Sequence, residues 1–173
     1  MTPVPSIFVA SVQDSLQALN RVVSLLRGRN FRIESLTTAR SEQLDVARLT
    51  VVVDASQVRP QRVASCLDKL EEVWSLREAQ PADVVRREAA LVKVRDSAPI
   101  REWIAALPAS GAARVAEQSG GAAILEVFGE PEDVDRTIRS LPQESIIELA
   151  RLGQFVMLRG AQPTTDVTPP QQV

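Results

Sequence analysis

Carboxylates crowd the stretch Glu130-Pro131-Glu132-Asp133-Val134-Asp135, two guanidiniums sit side by side at Arg86-Arg87, and one thiol stands at Cys66. An oxygen-rich cluster can hold a hard cation, paired arginines an anion, and a thiolate an electrophile or a soft metal. Each also has an ordinary structural use. Acidic residues stabilise a helix start through its dipole without any metal, and adjacent arginines at a strand start are commonly solvated. Cys66 falls at helical spacing among Val63, Leu67 and Leu70, which marks an inert buried position, and as the only cysteine it can form no internal disulfide. The chain contains no histidine. That removes imidazole acid-base catalysis, Ser-His and Cys-His nucleophile pairs and most transition-metal sites together. Nor does the sequence offer a nucleophile motif or a Gly-rich phosphate loop, so a small enzyme is a poor fit.

The scaffold for any site must come from 173 residues, enough for two small domains or one of medium size. Hydrophobic residues at 45% and charged residues at 24% are ordinary for a globular chain. Aromatics are only 3%, Tyr is absent, and 22 acidic residues face 20 basic ones, which argues against a nucleic-acid partner. No apolar run approaches the roughly 20 residues of a membrane span. The start, Met1-Thr2-Pro3-Val4-Pro5, lacks the charged and apolar regions of a signal peptide, so a cytoplasmic location is expected. Trp74 and Trp103 suit partly buried packing positions better than binding platforms.

The elements follow from periodicity. Ser6 to Val12 is a short apolar strand that runs into Asp14 and Ser15, both good helix caps. Leu16, Leu19, Val22, Val23 and Leu26 form one helical face, which leaves Arg21, Arg27 and Arg29 to solvent, and Gly28 and Asn30 close the helix. Phe31 to Arg40 and Leu44 to Val53 are strands joined by Ser41-Glu42-Gln43. Asp54 to Gln57 supply caps, Pro60 suits a first helical turn, and Val63, Leu67 and Leu70 mark a second helix before a closing strand at Val73 to Ala79. After Pro81-Ala82-Asp83 the order repeats: a strand at Val84 to Arg95, a helix on Ile100, Ile104 and Leu107, strands at Ala112 to Gln118 and Ala122 to Phe128, a helix from Glu130 with Val134, Ile138 and Leu141, and last strands at Ile146 to Arg151 and Phe155 to Leu158. The predicted fold class is α+β, two tandem ferredoxin-like βαββαβ domains over residues 1–80 and 81–160. Residues 161–173, rich in Pro, Thr and Gln, are expected to form a disordered tail.

Three segments in order carry a family resemblance. Phe31-Arg32-Ile33-Glu34-Ser35-Leu36-Thr37, following its helix, resembles the first half of the ACT domain of acetolactate synthase small regulatory subunits. Arg87-Glu88-Ala89-Ala90-Leu91-Val92-Lys93-Val94 is similar to the strand that opens the family's C-terminal domain. Ile124 to Gly129, Ile147 to Gly153 and Leu158-Arg159-Gly160 are similar to the family's end. The resemblance implies an ACT domain at 1–80 and a non-catalytic subunit of branched-chain amino-acid (valine, leucine, isoleucine) biosynthesis. Such a subunit activates a catalytic large subunit that holds thiamine diphosphate, Mg and FAD, none of them in this chain. It also implies a homodimer and feedback by an amino-acid effector. A stand-alone ACT sensor is the alternative.

The same resemblance places an effector site at Asp14, Ser15, Gln17, Ala18, Arg32 and Ile33. Three of these depart from the family: Asp14 stands for an asparagine, Gln17 for a glycine and Arg32 for a second asparagine. An ionised Asp14 can only accept hydrogen bonds and would repel a ligand carboxylate, while Gln17 would add a side chain where glycine lets the backbone approach. Structurally, Asp14 would merely cap the helix, with Gln17 and Arg32 solvated. Weak or lost feedback by valine is the expected consequence.

Overall fold

The computed structural model describes residues 5–54, 56, 59–108 and 111–165. The elements are β1 (Pro5–Gln13), α1 (Leu16–Gly28), β2 (Ile33–Arg40), β3 (Val46–Asp54), α2 (Pro60–Leu67), β4 (Val73–Ala79), β5 (Val84–Arg95), α3 (Ala98–Ala105), β6 (Ala113–Ser119), β7 (Ala122–Gly129), α4 (Pro131–Ser140) and β8 (Ile146–Leu158). They form two four-stranded sheets with orders β2-β3-β1-β4 and β6-β7-β5-β8. This is the expected α+β class with two ferredoxin-like βαββαβ units.

In the first sheet β1 runs antiparallel to β3 and β4, and β2 to β3. Alternation sends Phe8, Ala10 and Val12 of β1 with Leu49, Val51 and Val53 of β3 against Val22 and Leu26 of α1 and Val63 and Leu67 of α2. The odd residues Ile7 and Val9 are buried too, on the opposite face, with Val52, Ala79, Val84 and Val156. A strand covered on both sides reads as a near-continuous apolar run, as β1 does from Ile7 to Ala10. Cys66 packs partly buried against the helix-side core, as its spacing suggests.

Three details differ from the sequence expectation. Leu16 is 86% exposed and Val23 also faces solvent, so the buried stripe of α1 is Ala18, Val22 and Leu26. Asp54 does not cap α2: its carboxylate accepts from the Ser56 N–H, and Arg59 precedes the helix with no side-chain cap. The part of that cap expectation falling on Gln57 lies outside the described residues. Leu152-Gly153-Gln154 does not split the last strand, because Gly153 takes φ 74° and lets β8 continue for 13 residues. Arg21 faces solvent as expected but is not free: it reaches Glu72 at 2.9 Å.

The domain limits shift as well. Contacts group residues up to Val85 with those from Phe155 onward, and Arg86–Gln154 separately, instead of dividing at 80 and 160. The cause is the second face of the first sheet, which recruits Val84, Val156 and Leu158. Thr164 and Thr165 are also docked, contrary to the disorder expected of them. Thr164 and Thr165 are 3% and 4% exposed. Thr165 Oγ1 accepts from Ser11 Oγ at 2.8 Å, and Thr164 Oγ1 accepts from the Leu158 N–H at 2.8 Å. Hydroxyls satisfied in pairs can be buried at little cost, and composition gives no sign of it. The rest of the expected tail, 166–173, lies outside the described residues.

In the second unit Ala90, Val92 and Val94 of β5 and Leu125 and Val127 of β7 pack against Ile100 of α3 and Val134 and Ile138 of α4. Pro131 opens α4 with Glu132 and Asp133 in its first turn, as anticipated.

Candidate functional site

At the end of β1 the chain turns from Gln13 through Asp14 to Ser15, which caps α1 by accepting the Ala18 N–H at 3.1 Å. The cap is therefore Ser15, and Asp14 is free for another use. Its backbone N–H donates to the Asp45 carbonyl, which holds the turn against the β2–β3 hairpin, and its carboxylate accepts from Arg40 Nε at 3.2 Å. Beneath this pair lies a cavity of about 270 Å³. Val12, Leu19, Val22, Ala47 and Leu49 form its apolar floor, and Gln13, Asp14, Ser15, Leu16, Thr38 and Arg40 its wall and rim.

A small molecule with an apolar end and a charged end fits such a cleft. The two rim charges are well hydrated, with side chains 36% exposed for Asp14 and 89% for Arg40. An exposed pair of this kind is worth about 0–1 kcal/mol. Either partner can thus turn toward a ligand at small cost. Arg40 also offsets the negative charge that Asp14 presents to an incoming carboxylate.

The six sequence-predicted residues do not converge within one chain. Asp14 and Ser15 are on the rim, and Ala18 is buried with its N–H already used by the cap. Gln17 is exposed and takes no part in the lining, so it does not fill the cleft as its replacement of a glycine suggested. Arg32 and Ile33 lie at the other end of the sheet. The register pairs Gln13 with Val46 but Ile33 with Val53, and at about 3.3 Å per residue the two ends of β3 are roughly 25 Å apart. There Arg32 Nη1 approaches Asp54 Oδ2 at 3.7 Å. Hydrogen bonds from Ser56 hold the Asp54 carboxyl below its usual range, with Arg32 adding to the effect. Burial, and then the charge of Asp54, push Glu34 up.

A raised carboxyl pKa means that the ionised form is penalised by folding. Glu34→Gln is therefore expected to raise the melting temperature at neutral pH. The gain should fade as the pH falls below the ordinary glutamate range, where Glu34 is protonated in both states. A thermal scan across pH 3–8 checks the sign, and an unchanged or lower melting temperature at pH 7 would contradict it.

Arg40 and Thr38 were missed from sequence, although counting back from the Ser41-Glu42-Gln43 link places Arg40 beside the β1 exit. The acidic cluster is consumed by arginines: Glu130 pairs with Arg87, Glu132 with Arg86, Asp133 with Arg136, and Asp135 with Arg139 and Arg151. The adjacent arginines Arg86 and Arg87 are thus ion-paired. Among the described residues no group of three or more acidic or thiol side chains is placed to hold a metal. No described helix is long and apolar enough to cross a membrane.

A family model described as the small subunit of acetolactate synthase matches residues 87–160. The probable acetolactate synthase small subunit of Methanothermobacter thermautotrophicus is 32% identical over 163 residues, covering 94% of this chain and 97% of that protein. The chain belongs to the acetolactate synthase small-subunit family. The small subunit of Mycolicibacterium smegmatis is 34% identical, covering 86% of this chain and 88% of its own length. Among solved structures, the small subunit from Thermotoga maritima superimposes with a TM-score of 0.79 at 27% identity, covering 92% of this chain and 99% of that one. As a family member the chain is a regulatory subunit of branched-chain amino-acid biosynthesis, and the stand-alone sensor is not favoured.

Proposed function

We propose that this small subunit has no catalytic centre of its own and acts, as a cytoplasmic homodimer, by binding the thiamine-diphosphate-dependent catalytic subunit of acetolactate synthase and raising its turnover. Mg and FAD belong to that partner as well. The observation that carries the reading is the extent of the likeness, which runs through both units and 94% of the chain. The absence of histidine from the sequence agrees with it. The purified chain is expected to condense no pyruvate alone and to raise the rate of its catalytic subunit on mixing. Condensation by the isolated chain, or no rate change on mixing at saturating ratio, would sink the proposal.

The cleft below Asp14 and Arg40 is the effector site in this reading, and feedback by valine is weak. Two unit charges 4 Å apart in water-like surroundings interact by about 1 kcal/mol, roughly fivefold in affinity. Arg40 cancels part of this, so the penalty from Asp14 is at most several-fold. Asp14→Asn is expected to strengthen valine inhibition of the reconstituted enzyme by up to about fivefold while leaving activation intact. An unchanged inhibition curve would remove Asp14, and with it this cleft, from effector binding.

A further inference from the structure

The ion pair on the rim of the first unit's cleft is incompletely made. Arg40 reaches Asp14 through Nε alone, at 3.2 Å, longer than the about 2.7–2.9 Å of a good charge-assisted bond. The same chain shows a fuller pairing, since Arg114 brings both Nε and Nη2 to 2.7 Å from a Glu126 oxygen. The Nη groups of Arg40 make no hydrogen bond with the described residues. Nor does the turn call for an arginine. The second unit repeats Val12-Gln13-Asp14-Ser15 as Val94-Arg95-Asp96-Ser97 and makes the same backbone bond, Asp96 N–H to the Gly121 carbonyl where Asp14 uses Asp45. There the hairpin strand β6 ends on Ser119, and Asp96 meets Arg101 of its own helix at 3.4 Å. Arg40, at the end of β2, is an addition of the first unit.

Among the described residues lining the cleft Arg40 is the one cation, and the floor beside it is apolar. A guanidinium with unused Nη groups at the mouth of an apolar pocket can take a carboxylate bidentately while the ligand's aliphatic end fills the floor. We propose that Arg40 is the carboxylate anchor of this cleft, and that Asp14 is a competitor built into the chain, a tethered carboxylate that an incoming aliphatic acid must displace from Arg40. Because the tethered pair is exposed and singly bonded, exchanging it for a bidentate ligand costs little. The proposal rests on the cleft being the effector site and adds the residue that holds the ligand's charged end. Asp14 then weakens the effector by occupying Arg40, not by charge repulsion alone.

The test is L-valine inhibition of the enzyme reconstituted from the full chain and its catalytic subunit, with Asp14→Asn, Arg40→Gln and the two combined. Adding Arg40→Gln to Asp14→Asn is expected to erase the gain from Asp14→Asn and to weaken inhibition about tenfold relative to it, the low end for hydrogen bonds to a charged group. A double variant as sensitive as Asp14→Asn alone overturns the anchor and leaves the cleft as the effector site. No response to either single substitution sinks the cleft reading, and the anchor with it. L-Valine amide separates anchoring from a merely structural role, because it lacks the carboxylate. In the Asp14→Asn background, where the amide's positive charge meets no carboxylate at that position, valine is expected to inhibit about tenfold better than its amide, and Arg40→Gln to abolish the preference. A preference undiminished without Arg40 is contrary. Both side chains are solvent-accessible, and circular dichroism checks that each variant is folded.

Discussion

Replacing Arg151 by alanine is expected to destabilise the protein by about 3 kcal/mol, the lower end of the range for removing one partner of a buried ion pair. Glu88 is 3% exposed, and its carboxylate accepts from Arg151 Nε at 2.6 Å with a second approach from Nη2. Without the guanidinium that charge stays buried with no cation. The lower end applies because the Arg151 side chain is 38% exposed, so water can follow its removal. Asp135, the other anion on Arg151, still has Arg139 at 3.6 Å and loses less. At roughly 4–8 °C per kcal/mol for a unit of this size, the melting temperature should fall by about 12–24 °C. Glu88→Leu combined with Arg151→Met should recover much of the loss, because no uncompensated charge remains. If Arg151→Ala melts within a few degrees of the parent, the pair is not holding the unit together.

Thr165→Val is expected to cost about 1–3 kcal/mol by leaving the buried Ser11 hydroxyl without its acceptor. The two side chains are nearly isosteric, so packing is kept and only the hydrogen bond at 2.8 Å is lost. Ser11→Ala in the same chain should restore most of the stability, since both polar groups are then gone. Ending the chain at Gly160 should destabilise by less than the sum of the contacts it removes. The freed residues regain conformational entropy, and water reaches the groups they covered. Denaturant melts of the three variants separate these effects. Equal midpoints for parent and Thr165→Val would mean that the docked hydroxyls contribute nothing.

Periodicity made most of the fold legible. The apolar spacing of Val63 and Leu67, the alternation through Val92 and Val94, and the Pro131 helix start all appear where the sequence places them. Residues whose roles depend on register or on pairing over long separations were not legible. Asp14 and Arg32 were both expected at the effector site, yet they sit at opposite ends of one sheet, which only the β2–β3 register reveals. The Asp14–Arg40 pair is 26 residues apart in sequence, and Ser11–Thr165 is 154 apart. A threonine bound for the interior looks the same in composition as one bound for solvent. Gly153 read as a strand break because glycine commonly punctuates, whereas here its positive φ allows the strand to pass.

The closure of the first sheet by Val84, Val156 and Thr165 bears on how the molecule is made. During synthesis β1 leaves the ribosome early and Val84 follows about 75 positions behind it, but Val156 and Thr165 arrive only about 150 positions later, a delay of roughly 8–30 s at 5–20 residues per second. The half that is born first is the half whose residues are completed last. A chain cut short between Val84 and the final strand therefore has Ile7, Val9 and Val52 covered by Ala79 and Val84 but not by Val156. Only a chain translated through its last strand can present a complete first unit.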